Sequence, residues 1–79
     1  MNATDLLTRV RQRPFVPFRI IVSEGGTYEV LHPVLVMVGR FSVTIGVPSE
    51  EEGLYETSHL VALRHVVRLE PIEPAATAR

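Results

Sequence analysis

Three histidines, a run of glutamates and two groups of arginines are the side chains of this 79-residue chain with the most capacity for chemistry. His32, His59 and His65 would make a metal site if they converged, but none stands at the i, i+4 or similar spacing that marks a zinc motif. Each also has an ordinary place, His32 at a proline bend, His59 near a strand edge and His65 in a tight corner. Glu50, Glu51 and Glu52 supply paired carboxylates, yet three adjacent acids repel one another anywhere but in a solvated loop. Asp5 is the sole aspartate, and it falls in the first turn of a helix, where a carboxylate meets the positive end of the dipole. No nucleophile therefore has a visible base and orienting acid, which is the constellation catalysis needs. The expectation is a non-enzymatic protein with no catalytic residue, no metal site and no cofactor.

All eight basic residues are arginine, set against nine acids. Arg9, Arg11 and Arg13 gather at a helix end, Arg40 tops a hairpin, and Arg64 and Arg68 lie near the last corner. Guanidinium forks match phosphate oxygens, so these six are candidate phosphate or nucleic-acid contacts. The plainer account is dipole complementation by the first three and ion pairing by the others. A net charge of −1 gives none of the global basic footprint of a nucleic-acid binder, so any such site must be local.

With no cysteine, disulfides, thiolate nucleophiles and cysteine-held zinc are excluded, and the composition suits a reducing compartment. No segment approaches the roughly 20 apolar residues of a membrane span. Residues 1–13 lack the apolar run of a secretory signal. The chain is expected in the cytoplasm, with no membrane partner.

The elements that must position these residues can be read from local patterns. Ala3, Leu6, Leu7 and Val10 recur at spacings of three and four, predicting a helix over about 4–13, capped by Asn2 or Thr4 and stopped before Pro14. Alternation then predicts a strand over Phe18–Ser23, a turn at Glu24-Gly25-Gly26 and a partner strand over Thr27–Leu31. His32-Pro33 interrupts, since proline cannot donate to a ladder. Strands over Val34–Val38 and Phe41–Val47 flank Gly39-Arg40, which suits a two-residue type II′ turn with glycine first. Residues 48–53 form an acidic loop. Tyr55–Leu63, a corner at Arg64-His65 and Val66–Glu70 complete the order, ended by Pro71. One domain over 1–72 is expected, with residues 73–79 a flexible tail.

This order fits a mainly β fold in which a short N-terminal helix precedes a five- to six-stranded, strongly bent antiparallel small barrel, SH3-like or Sm-like. An open antiparallel sheet with the helix across one face is the alternative. Several strands are apolar on both faces, more than one barrel interior can hold. Ile21, Leu31, Leu35, Met37 and Leu60 are left over, and they point to a self-association surface and a homo-oligomer. The large aromatics Phe15, Phe18, Tyr28, Phe41 and Tyr55 read as core and interface residues.

The runs RPFVPFRI at 13–20, YEVLHP at 28–33 and VGRFSVTIG at 38–46 resemble a family of small uncharacterised bacterial proteins, over most of the chain from Leu6 to about Pro71. That resemblance implies a fold type and no activity. A more distant likeness is to Sm-like proteins, including the RNA chaperone Hfq, with HLVALRHVVRLEP at 59–71 in the place of their last two strands and the corner between them. Their RNA-contacting residues are not matched. Leu60 and Val61 stand where a Lys-His pair would be, and Ala62 and Leu63 where others carry Arg-Gly. The sequence therefore reads as a self-associating interaction or scaffolding module, with Sm-like binding of single-stranded nucleic acid as the alternative.

Overall fold

Asn2 opens the helix by accepting a hydrogen bond on its side-chain oxygen from the Asp5 N–H at 2.8 Å, one of the amides that a helix start leaves without a partner. In the computed structural model, which describes residues 1–72, helix α1 spans Ala3–Arg11. It ends two residues before Arg13, because Gln12 has already turned to extended backbone at ψ 137°. The Arg13 guanidinium folds back onto the carbonyls of Val10 and Gln12 at 3.2 and 2.9 Å, satisfying acceptors at the negative end of the dipole. The tail expected at 73–79 lies outside the described residues.

Six strands follow: β1 (Phe18–Val22), β2 (Thr27–Val30), β3 (Val36–Val38), β4 (Ser42–Pro48), β5 (Tyr55–Ala62) and β6 (Val66–Pro71). They form two antiparallel three-stranded sheets, ordered β2–β1–β6 and β3–β4–β5. The fold is thus mainly β with one short N-terminal helix, and among the described residues no ladder joins the two sheets into one. Gly25, at φ +90°, makes the β1–β2 turn, a backbone conformation that residues with a side chain rarely adopt.

Two local expectations are corrected. Val34 and Leu35 do not begin a strand, because Pro33–Leu35 is a single 3₁₀ turn, with the Leu35 N–H donating to the His32 carbonyl at 3.0 Å. Three residues per turn break the period of two, so Leu35 and Met37 no longer share a face. Leu35 is buried, whereas Met37 is 70% exposed. The β3–β4 connection is also displaced by one residue. Gly39 has no positive φ, so the type II′ turn does not form. Instead the Gly39 N–H donates to the Ser42 carbonyl at 2.7 Å, which leaves Arg40 and Phe41 at the apex.

The core lies between the sheets and under the helix. Leu6 and Val10 of α1 meet Phe18, Ile20 and Val30 from one sheet and Val43, Ile45 and Val61 from the other. Leu6, Phe18, Ile20, Val30 and Val43 are fully buried, each contributing about 1.5–3 kcal/mol relative to exposure. A second 3₁₀ turn, Leu63–His65, forms the corner before β6. It inserts buried Leu63 into the core and leaves Arg64 and His65 exposed.

Candidate functional site

Side chains alternate across a strand, so each sheet has an inner and an outer face, and the two outer faces differ in chemistry. In the β2–β1–β6 sheet, Glu29, Arg19 and Glu70 form one outer row and Thr27, Ile21 and Arg68 the next. Arg19 pairs with Glu29 at 3.3 Å and Arg68 with Glu70 at 2.7 Å. Both pairs are partly exposed and so contribute little to stability, but they keep this face charged and hydrated.

The β3–β4–β5 sheet is different. Its register places Met37, Thr44 and Leu60 in one outer row, with Ser42 beside Ala62 and Gly46 beside Ser58 in the flanking rows. None of these side chains carries a charge. Leu60 is 74% exposed and Met37 70%. Val34 and Tyr55 extend the patch, lining a shallow depression with Met37, Thr44 and Gly46. The Tyr55 ring lies over Gly46, where an added Cβ would come within 3.1 Å of it, and the Tyr55 hydroxyl donates to the Val34 carbonyl at 3.4 Å.

The five residues singled out for self-association therefore separate. Met37 and Leu60 share the uncharged face. Ile21 is half-buried on the charged face, Leu31 lies just past β2 and exposed, and Leu35 is withdrawn to the core. Val34 and Tyr55 join the patch although residue alternation did not point to Val34. Its only sequence signal was its place directly after a proline that opens a helical turn.

The six candidate arginines separate too. Arg13 is spent on the helix end, Arg68 on Glu70, and the Arg9 guanidinium sits 5.9 Å from the centre of the Phe18 ring, within reach of a cation–π contact. Arg11 is exposed on the last turn of α1. Arg40 and Arg64, 24 positions apart in the chain, are brought to the same groove beside the start of α1. Backbone pairing does this, since the Leu63 N–H donates to the Phe41 carbonyl at 2.9 Å next to the Ser42–Ala62 pair. Phe41, expected in the core or an interface, is instead 77% exposed at the turn apex, because the displaced turn removes it from the strand.

The histidines lie on separate elements. His32 precedes the first 3₁₀ turn and His65 ends the second. His59, on β5, packs against Tyr28 of β2 with ring centres 5.1 Å apart, a contact between the two sheets. Glu50–Glu52 lie on the exposed loop after β4, which Ser49 organises by accepting from the Glu51 N–H at 3.1 Å and donating to the Leu54 carbonyl at 3.0 Å. Among the described residues no helix is long and apolar enough to cross a membrane. No protein-family model, curated protein or solved structure matches the chain.

Proposed function

We propose that this chain is a non-enzymatic interaction module that associates with a second copy of itself through the outer face of the β3–β4–β5 sheet. The observation that carries the reading is the Met37–Thr44–Leu60 row, apolar at both ends and flanked by uncharged rows. Together Val34, Met37, Tyr55 and Leu60 leave on the order of 500 Å² uncovered, at the upper end of what a lone soluble domain shows. Burying this face against a charged surface would strip water from charges without pairing them. The chain's other outer face is of that charged kind, so the matching surface is the same face on another copy, related by a two-fold axis.

A small-barrel reading of the fold belongs to the same proposal. It is supported by the bend between β2 and β3, the one-turn corner before β6, and the return of β6 to pair with β1. The absence of catalysis is supported by the placement of the acids, with Asp5 in the first turn of α1 and Glu50–Glu52 on an exposed loop.

Light scattering on the purified chain tests the reading. A dimer mass at high micromolar concentration is expected, falling to the monomer mass in a variant carrying Met37→Glu and Leu60→Glu. Both side chains are exposed, so the variant keeps its fold, which circular dichroism checks. A wild-type chain that stays monomeric, or a double variant that stays dimeric, overturns it.

A further inference from the structure

We propose that the groove between the β3–β4 turn and the Leu63–His65 corner binds a phosphate ester carrying a flat base, with the phosphate held by Arg40 and Arg64 and the base stacked on Phe41. This inference is independent of self-association. The groove encloses about 480 Å³, and its walls include Arg40, Phe41, Leu63, Arg64 and Ala3. Among the described residues no acidic side chain lines it and neither arginine is ion-paired. The contrast within the chain is informative. Arg9, Arg13, Arg19 and Arg68 each have a partner within the fold, whereas among the described residues Arg40 and Arg64, like the exposed Arg11, have no ion pair, and of these three only Arg40 and Arg64 line one groove.

Two guanidiniums at one groove repel unless an anion lies between them, and a phosphate offers oxygens in the geometry that both forks can take bidentately. Phe41 supplies the second half of the site. A phenyl ring left 77% exposed beside two cations is a stacking platform for a nucleobase, a contact tolerant of base identity because every base has a π face. The Leu63–Phe41 hydrogen bond at 2.9 Å holds the ring's backbone against the corner, so the parts are positioned before a ligand arrives, which limits the ordering cost of binding.

The probes are fluorescein-labelled single-stranded hexanucleotides, read by anisotropy with the full chain, and competed with a mononucleotide or with pyrophosphate. With one phosphate neutralised, a tenfold rise in salt should weaken binding by about 5-fold, and the Arg40→Gln/Arg64→Gln double variant should lose that salt dependence. Phe41→Ala should weaken binding roughly tenfold or more. Competition by the mononucleotide assigns a free nucleotide, while competition by unlabelled oligonucleotide alone assigns a strand, and either supports the site. The proposal is overturned by no binding at low salt, by pyrophosphate competing as well as the mononucleotide, or by binding that survives Arg40→Gln/Arg64→Gln and is lost on replacing Arg9, Arg11 and Arg13. The Met37→Glu/Leu60→Glu variant should bind as the wild type does, which separates this site from the self-association face.

Discussion

Leu63 and Phe41 are joined by one backbone hydrogen bond of 2.9 Å, yet their side chains go opposite ways, Leu63 into the core at 3% exposure and Phe41 into solvent at 77%. The bond ties a turn to a corner more than twenty residues later. Both residues are large and apolar, so composition alone ranks them as equals. Their energetic roles should differ sharply. Leu63→Ala removes buried methyl groups and is expected to cost about 2–5 kcal/mol, while Phe41→Ala should stay within about 0.5 kcal/mol. Urea denaturation of the two variants checks this, and equal losses would contradict the arrangement.

The helix start offers a second measurement. Asn2 caps α1 through the 2.8 Å bond from the Asp5 N–H. Asn2→Ala should cost about 0.5–2 kcal/mol, whereas Asn2→Asp, which keeps the acceptor, should cost little. Thermal unfolding followed at 222 nm distinguishes them. Loss of equal size in both variants would mean that the side-chain oxygen is not the cap.

At Gly25 the constraint is conformational rather than steric. A Cβ there would meet nothing within 4 Å, but φ is +90°. Gly25→Ala should therefore destabilise by about 1–2 kcal/mol although it touches no neighbour. Gly25→Asn should cost less, because asparagine tolerates positive φ better than alanine. Denaturant midpoints give the ranking, and an alanine variant as stable as wild type would rule out this turn geometry.

Gly46 and Tyr55 should behave as a pair. Adding a Cβ at Gly46 brings it to 3.1 Å from the Tyr55 ring, so the ring must give by a few tenths of an ångström, which strains its 3.4 Å hydrogen bond to the Val34 carbonyl. Gly46→Ala is expected to destabilise the wild-type chain but to be neutral or stabilising by roughly 0.5–1 kcal/mol in a Tyr55→Ala background, where only the backbone entropy of glycine remains. A double-mutant cycle measures the coupling. Additive effects would show that the ring does not cover the glycine.

Local elements were legible from the chain alone because each depends on neighbours within a few residues. Leu6 and Val10, four apart, mark the buried stripe of α1, Asn2 and Pro14 bracket it, and Gly25 marks a turn through a backbone conformation that other residues rarely adopt. Phe18 and Ile20 alternate with Arg19 and Ile21 as a half-buried strand does. The broad order of one helix and six strands, and the corner at Arg64-His65, follow from such short-range rules.

What tertiary structure decided is which side of each two-faced strand turns inward, and which distant residues meet. A strand such as Val34–Val38 reads as apolar on both faces, and only the 3₁₀ turn at Pro33–Leu35 and the pairing of Val36 with Ile45 send Leu35 in and Met37 out. Gly39-Arg40 looks like a turn in isolation, but the Val38–Val43 register moves the apex to Arg40-Phe41 and releases the ring. Arg40 and Arg64 share no local pattern. They come to one groove because β4 pairs with β5 and a corner follows, an arrangement set by hydrophobic burial across the whole fold, which acts without regard to distance along the chain.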